Sequence, residues 1–591
     1  MILHHFTTFI GLLALSLATV ASNLRNLEYG DLNFLHTTDT HGWYSGHLNQ
    51  KTYSGDWGDF VSFAHHLKEL AHEKGHDLLL IDSGDRHDGN GLSDITSPNG
   101  ARSLPIFIKQ DYDLLTLGNH ELYLAENSEQ EYDIVAAHFK ENYVSTNVEY
   151  LEKDEWVPLG NKYKYFRTPI HGTRILALGF MFDFARYNEK TRVTSIAEVI
   201  RKDWFQEILD KYPAESVDTI VVVTHVPITR DWNELGVLHA ELRTHYPETK
   251  IEYFGGHSHI RDFVVYDEKS VALQSGRFCE TVGFLGVNLN SSSSEASDTF
   301  TRRYIDFNTD SFLHHTKKES LEALETKKGN HVKQLIADAR KDLGLDDVIG
   351  YVNNSNYYMD YVPVSHPKNL FRLLAKKVLP TLDAEEGVET SDERLIIINT
   401  GSVRYDLYKG PYTIDTHYIV SPFQNQWVKV TVPKYIARQI APQLNKNGYI
   451  LASAEKQNKE VRSLKPPHQT ARDINNKRNQ QPIDFDGFDE DLDVHVTKLK
   501  KGYVTYDDFG NKGDDTPHKA VINYPIPNVV QSVELDHTDR RAPVDVVFYD
   551  FITPNVKEVF EQLDYPMPEV EFYSNHYLGK LLNDYVAKNE I

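Results

Sequence analysis

Cysteine and positive charge are both scarce in this chain. Cys279 is the only cysteine among 591 residues, which excludes an intramolecular disulfide, and we predict it to be a buried apolar residue and not a catalytic thiol. The 62 Lys and Arg residues stand against 86 Asp and Glu, for a formal net charge of -24. Such a surface repels phosphate backbones, which argues against nucleic-acid polymers as partners. A site for a phosphorylated substrate would therefore need local cations, which metal ions can supply.

Long apolar runs are missing as well, with one exception at the N-terminus. Residues 6–20 are mostly apolar and small residues follow them, although no Lys or Arg precedes them. We predict a signal peptide over residues 1–22, with an N-terminal membrane anchor as the alternative. Residues 581–591 are polar, so no lipid-anchor signal is expected there. The sequence predicts an exported protein without a stable membrane anchor, in the extracellular or cell-wall space or the vacuole, with Asn290 and Asn353 as glycan acceptors.

The first half of the chain alternates strand-like and helix-like segments. Short apolar runs predict buried strands at residues 31–37, 77–83, 112–117, 175–182, 218–224 and 250–254. Between the first two strands, an amphipathic helix is predicted by the spacing of Trp57, Phe60, Val61, Ala64, Leu67 and Ala71. The alternation indicates an α/β sandwich.

The second half is predicted to form another α/β unit. Residues 317–343 are charged and free of proline, which predicts a connecting helix, and strands are expected at 395–400 and 427–432. The polar segment 454–481 is interpreted as a flexible surface insertion. The predicted division is a signal peptide (1–22), a catalytic domain (23–316), a linker helix (317–345) and a C-terminal substrate-binding domain (346–591).

Asp, Asn and His residues follow five of the predicted strands. The five places are Asp39 with His41, Asp82 with Asp85, Asn119 with His120 and Glu121, His225, and His257 with His259. Taken singly each is weak, because an Asp-x-His is usually a surface turn and a histidine at a strand end is usually structural. In α/β sheets, however, ligands bind beyond the carboxyl ends of the strands, where separate strands bring such groups together. Mixed oxygen and imidazole ligands favour Zn, Mn or Fe over Ca or Mg.

These segments resemble the calcineurin-like metallophosphoesterases and, within them, the 5′-nucleotidase family. The matching motifs in the first half are Leu-His-Thr-Thr-Asp-Thr-His at 35–41, Asp-Ser-Gly-Asp at 82–85, Leu-Gly-Asn-His-Glu at 117–121 and Gly-His-Ser-His at 256–259. In the second half they are Asn-Thr-Gly-Ser-Val-Arg at 399–404, Gly-Pro-Tyr-Thr at 410–413 and Pro-Phe-Gln-Asn at 422–425. The resemblance spans residues 31–435 and is strongest to fungal members. It implies a four-layer α/β–β/α sandwich followed by a helix-linked α/β C-terminal domain of the 5′-nucleotidase type.

The resemblance also implies a site for two divalent metal ions, with zinc first and manganese, iron or cobalt as alternatives. One ion would be held by Asp39, His41 and His259, the other by Asn119, His225 and His257, and Asp85 would bridge them. An anionic bridge fits this arrangement, because two cations about 4 Å apart repel each other. Ions so placed acidify water and stabilise charge on phosphoryl oxygens.

The catalytic role implied by the family falls on His120, which would stabilise the transition state or protonate the leaving group. The family usually has an Asp three residues after this histidine to orient its ring, whereas this chain has Tyr123. Two alternatives follow: either another carboxylate orients His120, or the ring is held in a different way.

Residues of the second half would bind the substrate. The resemblance implies Arg404 near the sugar or phosphate, Phe423 as one face of a base-stacking clamp, and Asn425 beside the base, with Asn399 and Asn119 also in contact. Without the family pattern, Arg404 would be interpreted as an ordinary solvated or ion-paired side chain, and Phe423 as a residue of the hydrophobic core. The second stacking aromatic has no clear match, and Tyr549 or Phe551 is the candidate.

The predicted function is hydrolysis of nucleoside 5′-monophosphates such as AMP to nucleoside and phosphate. The partner is thus a small nucleotide substrate, and no obligate protein partner is implied. Alternatives are a cyclic-nucleotide phosphodiesterase, a nucleotide-sugar or dinucleotide pyrophosphatase, and an inactive nucleotide-binding protein. A structural cell-surface protein finds no support, because repeats and low-complexity stalks are absent from the sequence.

Overall fold

The computed structural model describes residues 24–447, 502–519 and 523–591. The predicted signal peptide and the predicted insertion at 454–481 lie outside the described residues. Within the described part of the chain, no helix is both long and apolar enough to cross a bilayer.

Two mixed β-sheets form the first half. The first sheet contains, in spatial order, Phe300–Asp306, Thr281–Val287, Leu32–Thr37, Asp77–Asp82 and Leu114–Leu115. The second sheet contains Arg261–Asp267, Ser270–Ser275, Lys250–Gly255, Thr219–His225, Arg174–Met181 and Tyr163–Arg167. Leu32–Thr37 and Asp77–Asp82 pair in parallel, as do Thr219–His225 and Lys250–Gly255. All six predicted strands are therefore present, although 112–117 is reduced to two residues in the ladder.

The two sheets face each other across an apolar layer, and helices cover their outer faces. Phe34, Leu79 and Ile81 of the first sheet pack against Val221 and Phe254 of the second. The predicted amphipathic helix is Trp57–Glu73, and it begins at a capping box in which Asp56 accepts from the backbone N–H of Asp59. The result is the predicted four-layer arrangement of helix, sheet, sheet and helix.

The predicted connecting helix over 317–343 is wrong in its continuity. The preceding helix, Thr309–Thr316, ends at Lys317 in a left-handed conformation, and a short helix, Leu321–Leu324, follows. The long helix is Lys327–Asp342. It has an N-terminus of its own, because the Thr326 side chain accepts from the Gly329 N–H and caps it. This last helix packs along Trp57–Glu73 of the first half.

The second half is a five-stranded sheet with helices on both faces. Its strands, in spatial order, are Val529–Gln531, Glu393–Asn399, Pro543–Tyr549, Trp427–Pro433 and Glu571–Ser574. One face is covered by Lys434–Leu444 and Thr553–Gln562. The other face is covered by Leu370–Leu373 with the helical residues after it and by Leu578–Lys588. The two predicted strands of this half, 395–400 and 427–432, are confirmed with ends shifted by one or two residues.

Smaller elements complete the described chain. Two further sheets are formed by Val348–Val352 with Gly410–Thr413, and by Glu155–Pro158, Val148–Glu152 and Thr191–Val193. The remaining α-helices are Gly91–Asp94, Leu104–Phe107, Ala125–Gln130, Ala137–Phe139, Ile196–Val199, Asp203–Lys211, Glu234–His245, Ala296–Thr299 and Ile414–Val420. Cys279 is buried, as predicted.

Residues 502–519 are here called the strap. In sequence they lie within the second half, after helix Lys434–Leu444, but in the structure they pack against the first half. The backbone of Tyr304 exchanges hydrogen bonds with Gly513 and Asp515 of the strap. Buried ion pairs add to this contact, because Arg261 lies 3.0 Å from Asp514 and Arg302 contacts Asp507 through two nitrogens, at 2.9 and 2.7 Å. His518 of the strap binds Asp306 at 2.6 Å.

Candidate active site

The polar residues singled out from the sequence meet at one edge of the sandwich. Asp39, Asp85 and Asn119 follow three adjacent parallel strands of the first sheet, and His225 and His257 follow two adjacent parallel strands of the second. Because both sheets end their parallel strands at the same edge, side chains from five segments converge there. All of these residues are buried or nearly so.

Two groups of potential metal ligands share one carboxylate. Asp39, His41, Asp85 and His259 form the first group, within which ligand atoms lie no more than 4.8 Å apart. Asp39 Oδ1 is 3.2 Å from His259 Nε2, and the Nε2 atoms of His41 and His259 are 3.1 Å apart. Two imidazole nitrogens this close cannot both carry protons without repulsion, whereas both can bind one cation.

Asp85, His225 and His257 form the second group. Asp85 Oδ2 lies 3.1 Å from His225 Nε2 and 3.7 Å from His41 Nε2, so the same oxygen faces both groups. Asp85 Oδ1 accepts from the backbone N–H of His120, at 2.9 Å. The predicted bridging position of Asp85 is therefore compatible with the geometry.

The remote ring nitrogens are held by backbone oxygens, which fixes the direction of the imidazoles. His41 Nδ1 donates to the His87 carbonyl at 2.5 Å, and His225 Nδ1 donates to the Ser83 carbonyl at 2.7 Å. In the neutral rings this leaves each Nε2 without a proton and directed into the cluster, as in many metal sites. Asn119 Nδ2 donates to the Tyr123 hydroxyl at 3.2 Å, which leaves its Oδ1 for the cluster.

Unpaired atoms in this cluster fit a divalent cation. Asp85 Oδ2, Asn119 Oδ1 and His225 Nε2 are buried and have no hydrogen-bond partner among the described residues. Buried acceptors without a partner are costly, and a cation between them removes that cost. The donor set of carboxylates, imidazoles and one amide oxygen suits a transition-metal ion.

Electrostatics at the cluster also favour a bound cation. Burial raises the pKa of Asp39 to about 6, against the opposing positive charge of His225. Burial disfavours the charged form of His225, yet Asp85 and Asp39 outweigh it and raise the pKa of His225 to about 9. The carboxylates thus draw positive charge into a buried site, and a divalent ion supplies it without a proton.

The backbone at the site is strained in a consistent way. Left-handed φ angles occur at five of the predicted ligands, namely Asp39 (50°), His41 (46°), Asp85 (62°), His257 (69°) and His259 (59°). Such a conformation is costly for residues with a Cβ, by about 1–3 kcal/mol each, and is found where a fold holds functional groups in place. Glu121 helps to hold the loops, because its carboxylate accepts from the backbone N–H groups of Asp85, Arg86 and Gly118 at 2.7–2.9 Å.

The ring of His120 is held by a carboxylate other than the one usual in the family. His120 Nδ1 donates to Asp88 Oδ2 at 2.6 Å, and Asn99 donates to the other oxygen of Asp88 at 3.3 Å. Burial by itself raises the pKa of Asp88, but the hydrogen bond and charge of His120 hold it below its ordinary value. Of the two alternatives left open by the sequence, the substituting carboxylate is the one observed.

Arg404 of the second half contacts His120 of the first half. Its Nη2 donates to His120 Nε2 at 2.8 Å, and its guanidinium lies 4.9 Å from the centre of the Phe423 ring. Phe423 is half-buried, so it is not part of either core of the second half. One side chain therefore contacts both the predicted catalytic histidine and the predicted stacking ring.

The other predicted substrate-binding residues lie in the same loops with different local contacts. Asn399 is buried, and its Oδ1 accepts from Ser402 at 2.6 Å, so its side chain stabilises the turn before Arg404. Asn425 Nδ2 lies 3.4 Å from Asp550 Oδ1, which joins its loop to the segment containing Phe551. Tyr549 is wrong as a stacking candidate, because it is fully buried against Trp427 and its hydroxyl accepts from Leu578. Phe551 is half-buried, with the Arg186 guanidinium 4.5 Å from its ring centre.

Sequence reasoning missed Asp88, and it gave Glu121 no role. The only local signal for Asp88 is its place before Gly89, an Asp-Gly pair typical of a turn. Glu121 stood within the quoted motif, but its contacts to three backbone N–H groups depend on how two loops meet.

Comparison with known proteins agrees with this architecture. The calcineurin-like phosphoesterase family matches residues 32–261, and the C-terminal domain family of NAD nucleotidase matches residues 356–557. The crystal structure of a 5′-nucleotidase from Candida albicans is 53% identical, covers 96% of this chain and 99% of its own, and has a TM-score of 0.85.

Two curated fungal relatives extend over most of the chain. An uncharacterized protein of Saccharomyces cerevisiae is 44% identical, over 96% of this chain and 94% of its own. A secreted protein of Arthroderma benhamiae is 35% identical, over 95% of this chain and 90% of its own. The chain is therefore a metallophosphoesterase with a buried site suited to divalent metal, and it belongs to the 5′-nucleotidase family of calcineurin-like phosphoesterases.

Proposed function

We propose that this protein hydrolyses nucleoside 5′-monophosphates, AMP among them, to nucleoside and phosphate with two divalent ions. The observation that carries the proposal is the position of Arg404, which lies 2.8 Å from His120 and 4.9 Å from the Phe423 ring centre. A phosphate at the metal cluster and an aromatic base at Phe423 would thus lie on either side of one guanidinium. A nucleotide joins those two groups in one small molecule.

The proposed ligand sets are Asp39, His41 and His259 for one ion and Asn119, His225 and His257 for the other, with Asp85 shared. Zinc is proposed first, with manganese, iron or cobalt as alternatives. Bound there, the ions would supply Lewis-acid chemistry, acidifying water and stabilising negative charge on the phosphoryl oxygens.

His120 and Arg404 would act on the leaving-group side. In the present arrangement Nδ1 of His120 carries the proton shared with Asp88, and Nε2 accepts from Arg404. A substrate oxygen entering between the two side chains would accept from Arg404 and from a protonated Nε2. Asp88 would stabilise the positive charge that His120 then carries, which is the requirement for a general acid.

Phe423 and Phe551 are the proposed faces of the base clamp. Their loops are joined by the contact of Asn425 with Asp550 and by the bond from the Asp550 N–H to the Gln426 carbonyl, at 3.0 Å. Stacking on aromatic rings is tolerant of base identity, so several bases are expected to be accepted. Arg186, now over Phe551, would have to move if a base stacked on that face.

Export is proposed together with this activity, in the extracellular or cell-wall space or the vacuole. It is supported by the predicted signal at 1–22 and by the secreted relative from Arthroderma benhamiae. Asn290 and Asn353 are exposed, as glycan acceptors must be.

A substrate panel tests the proposal. Purified protein is loaded with zinc, manganese, iron or cobalt, and phosphate release is measured from nucleoside monophosphates, cyclic nucleotides and nucleotide sugars. The proposal expects the highest kcat/KM on 5′-monophosphates. A preference for cyclic nucleotides or nucleotide sugars would replace it with a phosphodiesterase or pyrophosphatase. Nucleotide binding without turnover at any metal would identify an inactive binding protein.

A further inference from the structure

Arg277 is a second arginine near the metal cluster, contributed by the first half. It follows Gly276 in the turn after Ser270–Ser275, and its guanidinium lies 4.6 Å from the ring centre of Phe278 and 5.8 Å from that of Tyr405. The Phe278 ring in turn contacts the candidate ligands His41 and His259 edge-on, with centres 5.2 and 5.5 Å away. Arg277 and two candidate ligands thus contact the same aromatic ring.

The guanidinium of Arg277 lacks the hydrogen bonds that such a group needs. Among the described residues it donates no hydrogen bond, and its Nε is buried without a partner. The nearest carboxylate is Glu280, whose Oε2 lies 4.0 Å from Nε, too far for a hydrogen bond. Glu280 already accepts from the hydroxyls of Tyr405 and Tyr503.

A guanidinium group whose five N–H donors have no partner is suited to binding an oxygen anion. The Arg277 side chain is 23% exposed, so its unpaired donors remain within reach of a small ligand. Arg277 also lies near Tyr405, the residue after Arg404, and Arg404 contacts His120, so each half of the chain contributes one guanidinium group near the cluster. Planar forks of this kind match phosphate oxygens.

We propose that Arg277 binds a phosphate oxygen of the substrate and of the orthophosphate product, in addition to the contact made by Arg404. The inference rests on the proposed phosphomonoester hydrolysis and assigns a substrate-binding residue to the first half. It implies preference for dianionic monoesters over monoanionic diesters, because two cations favour the ligand with more charge.

Orthophosphate binding to the metal-loaded full chain tests this assignment by calorimetry. Arg277→Gln is expected to raise the Kd for inorganic phosphate by about 10- to 100-fold, the usual value of a charge-assisted hydrogen bond. Arg277→Lys should recover part of the loss, since it keeps the charge but not the fork. KM for nitrophenyl phosphate should rise with Kd, and more than KM for the diester bis(nitrophenyl) phosphate.

Two further variants separate binding from a structural role. Arg192→Gln is the matched control, because Arg192 also lies on an aromatic ring, 4.4 Å from the centre of Trp156, and pairs with Glu149 in the small three-stranded sheet. It should leave the phosphate Kd unchanged. Glu280→Gln should keep or tighten phosphate binding, because it removes a nearby negative charge.

The outcomes distinguish this inference from the proposed function. An active wild-type protein whose phosphate Kd is unchanged in Arg277→Gln would overturn the inference alone. Equal loss in Glu280→Gln and Arg277→Gln would also overturn it and make Arg277 a packing residue. A wild-type protein that cleaves no ester but binds orthophosphate through Arg277 would refute the function and keep the site.

Discussion

Replacing Asp88 with asparagine is expected to slow hydrolysis most for esters with poor leaving groups. The variant keeps the shape of the side chain and removes the charge that lies 2.6 Å from His120 Nδ1. Asp88 is held independently of His120, because Asp94 accepts from the backbone N–H groups of Asp88 and Gly89 at 3.0 and 2.7 Å. The turn should therefore persist in Asp88→Asn, and the change should act mainly on the histidine, with the long contact from Asn99 as the other bond affected.

The magnitude follows from the kind of hydrogen bond that is lost. A bond to a charged partner contributes about 1.5–3 kcal/mol, and the neutral bond that replaces it about half as much. If His120 is protonated in the transition state, kcat for AMP should fall by roughly 4- to 13-fold in Asp88→Asn. Asp88→Ala, which also releases the ring, should approach the loss of roughly 10²–10⁴ that is expected for His120→Ala.

The assay compares AMP with nitrophenyl phosphate, whose leaving oxygen needs little protonation. The deficit in kcat should be larger for AMP, while metal content and melting temperature stay near the wild-type values. Asp267→Asn serves as a control, because Asp267 also binds a histidine, His239 at 3.0 Å, away from the metal cluster. Equal losses on both esters would refute the general-acid role of His120 and leave only electrostatic stabilisation.

Three other changes test the remaining assignments. Asp85→Asn should reduce metal occupancy and turnover more than His257→Ala, since both groups share Asp85; two retained ions with a near-normal rate would end the bridging assignment. Phe423→Ala should raise KM for AMP several-fold, in line with about 1–3 kcal/mol per stacked base, and leave nitrophenyl phosphate unaffected. A parallel loss on both esters with a lower melting temperature would make Phe423 a packing residue. Arg261→Met should destabilise the fold by about 3–5 kcal/mol in thermal unfolding, because it removes the guanidinium that binds the buried carboxylates of Asp306 and Asp514; an unchanged melting temperature would show that these pairs contribute little.

The sequence predicted the strands and the candidate ligands where their positions depend only on short local patterns. Apolar runs placed the strands, and the ligands stand directly after those runs, so the position of Asp39 or His225 follows from chain order alone. The family motifs then grouped residues that lie far apart. Both steps need only short segments, whose conformation is set by their own burial pattern.

Contacts between distant segments could not be predicted from the sequence in this way. Asp88 reaches His120 because of a φ of 64° at Asp88 and the support of Asp94, and neither is encoded by spacing. Tyr549 and Phe551 are two residues apart and similar in type, yet Tyr549 is fully buried whereas Phe551 is half-buried at the edge of the core, next to Arg186. The break in the predicted 317–343 helix depends on the cap at Thr326, whose hydroxyl could equally have faced solvent.

Because the strap comes from the second half of the sequence but packs on the first half, the two halves cannot be separated by a single cut in the chain. Arg261, Arg302 and Asp306 of the first half bind Asp514, Asp507 and His518 of the strap, more than 200 residues later. A fragment ending after Lys327–Asp342 would keep the pair between Arg261 and Asp306, at 2.8 Å, but it would remove Asp507, which binds Arg302 through two nitrogens. Removing one partner of a buried ion pair is destabilising. The first half is therefore expected to need the strap for full stability, and a chimera that exchanges it between relatives should carry residues 502–519 along with it.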